Sequence, residues 1–232
     1  MVDMKGQHSR QSDKGVSIIE VLVVVAIASI LSAIAIPQMV AQRRLIRSAG
    51  INRQISTQLR YTRQLAMSQR GATPTGPLRR VAFTFQYDDI TKEIKIIGPI
   101  PAGTMALIDP DYPNNPGSRV VSRADLTEGG LPAAEIVYGI PDGTELPAGA
   151  PIVPTGALGD GVSMTALSNN KINITFQPDG TVIDTANGPL NQAMYFYNKT
   201  VAQDTASAIS VLGASGRVKV WRYSSYANAF AE

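Results

Sequence analysis

The sequence predicts an α+β chain: one long N-terminal helix, its first half membrane-spanning, followed by an antiparallel β-rich globular head with a long loop-rich insertion. Three observations predict it. Every residue from Val21 to Ile36 is Val, Leu, Ile, Ala or Ser. Beyond Arg80, short stretches alternate apolar and polar side chains, the period of a half-buried strand. Between those stretches, residues 98–161 are dense in Pro and Gly and show weak periodicity, as loops do.

The helix comes first. With residues 16–20, the apolar run reaches the ~30 Å of a bilayer core at about 1.5 Å per helical residue. A polar stretch with Lys5, Arg10 and Lys14 precedes it, and Glu20 stands near its start. Three readings compete. A secretory signal peptide has an apolar region of about 7–15 residues ending at a small-residue cleavage site. This run is longer and continues into more helical sequence. A plain signal anchor fits the length but leaves Glu20 unexplained, because an unpaired carboxylate in hydrocarbon is costly. The third reading joins the leader, Gly15, Glu20 and the apolar run in a single motif. Pro37 predicts a kink or local melting, since it lacks the backbone N–H and crowds the preceding turn. Val40, Leu45, Ile51, Ile55, Leu59 and Leu65 continue a broken apolar stripe toward Gln69, opposite a solvated face rich in Arg. The Gly- and Pro-containing stretch 71–77 ends the helix.

The head follows in order. Val81–Tyr87 alternates Val81, Phe83, Phe85 and Tyr87 on one face, Asp88-Asp89 marks a turn, and Ile90–Ile97 returns as a second strand. Within 98–161 a short strand is expected at Ala134–Tyr138. Asp109, Asp111, Asn114 and Asn115 supply oxygens without the EF-hand spacing and read as a turn cluster. Lys171–Gln177 alternates, with Ile172, Ile174 and Phe176 inward. Pro178-Asp179-Gly180 turns the chain, and strands are expected at Thr181–Asp184, Ala193–Asn198 and Ala208–Leu212. In the last strand, Arg217, Lys219, Trp221 and Tyr223 share the face opposite Val218 and Val220.

Composition excludes several chemistries. The chain has no Cys and one His, His8, which lies before the apolar run. Disulfides, thiol catalysis and His- or Cys-based zinc sites have no ligands here once the leader is gone. Neither a Gly-rich phosphate loop nor a convergent catalytic constellation is present, so the expectation is no enzyme, no cofactor and no metal site. Asp88 and Asp89 suit acid chemistry by type, yet adjacent residues on a strand point to opposite faces, which favours a turn. The formal net charge of +3 permits an anionic partner without demanding one.

Lys14-Gly15-Val16-Ser17-Ile18-Ile19-Glu20 resembles the cleavage motif of type IV prepilins: a basic leader, a Gly, a hydrophobic residue and a Glu five positions after the cut. The resemblance implies a type IV pilin-like fold. It implies that prepilin peptidase cuts between Gly15 and Val16 and methylates the Val16 amine, where the family usually has Phe. It divides the chain into a leader at 1–15, a pilin helix at 16–70 with 16–36 transmembrane, and a head at 71–232. The implied place is the bacterial inner membrane, single-pass with the head in the periplasm, or an extracellular or periplasmic filament after assembly. Six arginines after the apolar run, from Arg43 to Arg63, would by simple charge counting hold that side in the cytoplasm. Long domains translocate largely regardless of such charge, and the resemblance places the head outside.

The resemblance also explains Glu20. Cleavage creates an ammonium at Val16, and in a stacked filament Glu20 of one subunit can meet that ammonium on another, each charge finding a partner in a medium of low dielectric. Partners are then inner-membrane lipid before assembly, and other pilins or pseudopilins after it.

The order of parts, with Phe176-Gln-Pro-Asp-Gly180 and a terminal Gly216-Arg217 strand, resembles the GspH/FimT branch of minor pilins and pseudopilins. That implies a structural subunit of a type IV pilus or type II secretion pseudopilus, in a low-abundance or tip and initiation role. In some FimT-like proteins a Gly-Arg-x-Arg stretch binds DNA for uptake; here it reads Gly216-Arg217-Val218-Lys219. Cations interleaved with aromatics at Arg217, Lys219, Trp221 and Tyr223 are what phosphate tracking and base stacking require. The plain alternative is an edge strand whose charges deter pairing with other chains. A third alternative is a membrane-anchored enzyme.

Overall fold

The computed structural model describes residues 17–68, 70–71, 79–101, 119–141, 164–183, 188–224 and 229–231. The turn cluster at 109–115, the Pro/Gly stretch at 142–161 and the leader with Gly15 and Val16 lie outside the described residues. Two compact units emerge, Met1–Gln42 and Arg43–Glu232.

Helix α1 spans Ile18–Ser68, the long N-terminal helix the sequence predicts. Its first part, through Arg43, exposes every side chain. Pro37 does not end it; the helix continues through that residue. The helical residues of the second unit carry a stripe of buried side chains at Ser48, Ile51, Asn52, Ile55, Ser56, Leu59, Thr62, Leu65 and Ala66. Steps of three and four keep these on one face of a 3.6-residue helix. Val40 lies off that stripe and is exposed.

Among the described residues, the head contains two antiparallel five-stranded sheets. The first contains β1 (Arg70–Gly71), β2 (Arg79–Asp88), β3 (Glu93–Pro101), β4 (Arg119–Asp125) and β6 (Lys171–Phe176). In it β2 pairs with β3 on one side and with β6 on the other. The second contains β5 (Ile136–Tyr138), β7 (Gln192–Asn198), β8 (Ser207–Leu212), β9 (Arg217–Ser224) and β10 (Ala229–Ala231), in the order β10-β9-β8-β7-β5. A short helix, α2 (Ala202–Thr205), links β7 to β8.

One apolar core joins these parts. Ile51, Ile55 and Leu59 of α1 cluster with Phe83, Phe85 and Tyr87 of β2, Ile172, Ile174 and Phe176 of β6, and Met194, Phe196 and Ile209 of the second sheet. A second cluster occupies the opposite face of that sheet, built from Tyr195, Tyr197, Trp221, Tyr223 and Phe230 with Ala202 and Ala206. The alternation of β7 therefore sorts its side chains between two interiors, and every residue of that strand is buried.

Several elements depart from the sequence expectation. Ile90, Thr91 and Lys92 belong to the turn, and the returning strand starts at Glu93. Asp88 explains this: its Oδ1 accepts hydrogen bonds from the Ile90 and Thr91 amides at 2.9 and 3.2 Å, and Lys92 takes a left-handed φ of 57°. Those amides are spent on the carboxylate and cannot extend the ladder. Residues 98–161 hold the expected short strand, which starts at Ile136 as β5 after a 3-10 turn at Ala133–Glu135, and they also contribute the unexpected β4 to the other sheet. Strand β4 escapes a period-two reading because its register against β3 shifts between Ile96 and Ile97. In place of a strand at Thr181–Asp184 there are isolated bridges at Val182 and Ile183, with Asp184 outside the described residues.

Candidate functional site

Two regions carry the candidate residues. At the start of α1, the Ser17 carbonyl accepts hydrogen bonds from the amides of Glu20 and Val21 at 3.0 and 3.2 Å, which closes the first helical turn. Glu20 lies in that turn with its side chain exposed among Ile18, Ile19, Val21 and Leu22. A carboxylate at a helix N-terminus is also favoured by the helix dipole. Ser29 Oγ returns its hydrogen to the Val25 carbonyl at 2.7 Å, so the hydroxyl is satisfied within the apolar run. The helix is long and apolar enough to cross a membrane. Its continuous exposed apolar surface far exceeds what a soluble monomer leaves in water, so lipid or neighbouring helices must cover it.

The second region is the end of the head around Gly180 and Gly216. The turn Phe176–Gly180 and the Gly216-Arg217 stretch, far apart in sequence, meet over Arg63 of α1. Both glycines are left-handed, with φ of 84° and 60°. A Cβ on Gly180 would lie 3.0 Å from Met67 Sδ and 3.3 Å from Arg63 Nε. A Cβ on Gly216 would collide with the Gly180 carbonyl oxygen and lie 2.9 Å from Arg63 Nε. The motif glycines thus let two turns close over a guanidinium. Arg63 Nε is enclosed and has no hydrogen-bond partner. An open cleft of about 550 Å³ lies elsewhere on the head, whereas here a cleft of about 420 Å³ is lined by Arg60, Arg63, Ser215, Gly216, Arg217 and Val218.

Strand β9 presents a different surface from the one its pattern predicts. Arg217, Lys219, Trp221 and Tyr223 do lie on the face opposite Val218 and Val220, and the two valines pack on the main core. Trp221 and Tyr223 are nevertheless buried, at 7% and 6% exposure. Trp221 Nε1 donates to Ser210 Oγ at 3.0 Å, the Lys219 ammonium sits 4.9 Å from the Trp221 ring centroid, and Phe230 of β10 packs against Tyr223. Neither ring offers a face to a base. Nor is β9 a sheet edge along its whole length, because β10 pairs with Arg222, Tyr223 and Ser224. Sequence alternation places these rings on one face but carries no information about the strand that covers it.

Arg43, Arg47, Arg53 and Arg60 of α1 are exposed, as the solvated face predicts, while Arg44 and Arg63 are half-buried, and two of the arginines also reach the head. Arg44 bridges Glu135 at 3.3 Å, and Glu135 accepts a second bond from Asn198 Nδ2 at 3.0 Å. Arg47 Nη1 donates to the Gly130 carbonyl at 2.7 Å. Asn52 Oδ1 accepts from the buried Ser207 hydroxyl at 2.8 Å. Residues 43–68 are thereby tied to the head by polar contacts as well as apolar ones.

Asp88 and Asp89 are occupied structurally. Asp89 Oδ1 accepts from the Tyr87 hydroxyl at 2.8 Å and from the Lys92 ammonium at 2.6 Å. Burial, and then the nearby Asp89 charge, holds the Tyr87 and Tyr138 phenols protonated well above their ordinary range. Asp125 is held below the ordinary carboxylate range by hydrogen bonds from the Thr127 hydroxyl and amide. Among the described residues, no three His, Cys, Asp or Glu side chains converge as metal ligands.

Residues 10–36 match a family described as the prokaryotic N-terminal methylation motif. The match covers Lys14 to Glu20 and the apolar run, and it supports a type IV pilin-like protein. No curated protein and no solved structure matches the chain.

Proposed function

We propose that the chain is a minor pilin or pseudopilin, a structural subunit of a type IV pilus or type II secretion pseudopilus in a low-abundance, tip or initiation role. The observation that carries the reading is the methylation motif at 10–36, continuous with a helix whose residues 18–36 expose, apart from Glu20, only apolar side chains and the hydroxyls of Ser29 and Ser32. Prepilin peptidase cuts after Gly15 and methylates the Val16 amine. The inner membrane holds the precursor, with the head in the periplasm. On assembly, Glu20 of one subunit pairs with the Val16 ammonium of its neighbour. Such a contact fixes axial register, since a slip of one residue strands both charges in a medium of low dielectric. The head acts as a structural module rather than an enzyme: its acidic pair caps a turn, and its buried polar groups serve packing.

The test is mass spectrometry of membrane-extracted protein. The mature chain begins at Val16 carrying one methyl group, and Gly15→Val leaves the full-length chain. An intact leader on the parent protein, or a cut near Pro37, would refute the reading.

A further inference from the structure

We propose that the uncovered face of α1 between Arg43 and Arg60 docks an acidic helix of a different filament subunit, and that the same face excludes a second copy of this chain. The proposal rests on the filament-subunit reading and deepens it by naming the kind of neighbour. Arg43, Ile46, Gly50, Arg53, Thr57 and Arg60 follow one another in steps of three and four, so they share one helix face, opposite the stripe that packs on the head. All six are exposed. Arg53 and Arg60 stand about two turns apart, roughly 10.5 Å along the axis.

The charge on this face has no counterpart on its own helix. No Asp or Glu occurs between Glu20 and Asp88, so none of these arginines has an acid three or four residues away. Arg44 and Arg47 find partners in the head, at Glu135 and at the Gly130 carbonyl. Among the described residues, Arg43, Arg53 and Arg60 enter no ion pair. The nine cations between Val21 and Tyr87 are all Arg, the side chain whose planar fork matches a carboxylate and which is enriched where protein surfaces meet. Two further features are out of place on a face meant only for water. Ile46 is largely exposed, and Tyr61 is exposed beside Arg60. Gly50 weakens a helix by its freedom, yet no atom lies within 4 Å of where its Cβ would stand, so packing within the chain does not call for it. Its missing side chain leaves room for another backbone to come close.

The partner's form and sign follow. A straight strip about 26 Å long, from Arg43 to Arg60, fits another helix laid along it, because ridges spaced three and four residues apart interlock. Asp or Glu at two positions seven apart on that helix meets Arg53 and Arg60 in turn. The α1 of a second copy, laid in either direction, brings arginines onto arginines and offers no acid, so copies of this chain repel along the face. Such self-exclusion accords with a low-abundance subunit whose neighbours are other subunits.

The experiment uses the full chain in filaments sheared from cells that make the whole subunit set. Arg53→Lys, and separately Arg60→Lys, keeps the charge and puts a side-chain amine on a helix that has none, since no Lys lies between Lys14 and Lys92. A carbodiimide activates a carboxylate in contact with that amine. The amine displaces the activating group, forming an amide, and the reagent leaves as its urea after taking up the elements of water. Peptide mass spectrometry reads which residues were joined.

The expected result is an amide from position 53 or 60 to an Asp or Glu on the N-terminal helix of a different subunit, absent from the parent. Arg53→Glu combined with Arg60→Glu should lower recovery in filaments about ten-fold, with cleavage at Gly15 and the urea midpoint of the free chain unchanged. Gly50→Leu should also lower recovery, although leucine favours the helix, which separates docking from stability. Amides only to acids of this chain, in the same or another copy, would overturn the proposal, as would amides only to the globular part of another subunit, or none at all. Unchanged recovery of the double Glu variant and of Gly50→Leu would overturn it as well. If the parent chain is uncleaved or absent from filaments, the filament reading fails and takes the proposal with it. A parent chain that assembles normally while the helix variants are silent overturns the helix face alone.

Discussion

Gly216→Ala is the sharpest test of the packing at the end of the head. The residue sits at φ 60°, where an L side chain costs about 1–2 kcal/mol. Its new methyl would run into the Gly180 carbonyl oxygen and press on Arg63 Nε at 2.9 Å. The Gly180 carbonyl is backbone in a left-handed turn, so it cannot swing aside as a flexible side chain can, and overpacking of this kind costs about 1–3 kcal/mol. The sum is about 2–5 kcal/mol, a large share of the ~5–15 kcal/mol that holds a domain together. With a mid-range urea slope of ~2 kcal/mol/M the unfolding midpoint should fall by about 1–2.5 M. The assay is urea unfolding of the full chain in mild detergent, followed by the fluorescence of Trp221, the single tryptophan, buried in the same sheet. Gly50→Ala is the internal control. It lies in α1 with no neighbouring atom within 4 Å, so a methyl there should stabilise by about 0.5–1 kcal/mol through helix propensity. Arg63→Ala should not rescue Gly216→Ala, because the backbone collision remains. A Gly216→Ala midpoint within error of the parent would refute the close approach of the two turns.

Other expectations follow from the same contacts. Glu20→Ala should leave membrane insertion and leader cleavage intact but lower recovery in filaments, since stranding a buried ammonium costs about 3–5 kcal/mol; sheared-filament blots read it, and normal incorporation would remove Glu20 from assembly. Trp221→Ala should destabilise the head by about 3–5 kcal/mol, read by circular dichroism in urea, because it empties a packed site and leaves Ser210 without its donor. Loss of oligonucleotide binding at unchanged stability would instead mark the ring as exposed. Tyr87 and Tyr138 have folded-state values raised above the unfolded ~10, so their contribution to stability is intact below pH ~10 and is lost as pH rises beyond it. Absorbance near phenolate formation should show these two titrating only with unfolding; early, reversible titration of all tyrosines would contradict their burial.

By itself the sequence determined whatever depends on neighbours along the chain. The apolar run, its length and the placement of Glu20 are local, and so is the match that identifies the methylation motif. The buried stripe at Ile51, Ile55 and Leu59 follows from helical period. The inward set Ile172, Ile174 and Phe176 follows from strand period, which the tertiary core keeps unchanged. Tertiary structure decided what covers each face. Period two places Trp221 and Tyr223 together, but only the arrival of β10, with Phe230, turns that face from a surface into an interior. Strand β4 exists because β3 offers it an edge with a shifted register, a pairing preference that residues 119–125 do not announce alone. The same holds for Arg63, one of several helix arginines until two distant glycine turns fold over its guanidinium. Local pattern fixes which side chains share a face; whether that face meets water depends on contacts between residues remote in sequence, and those form only when the whole core condenses.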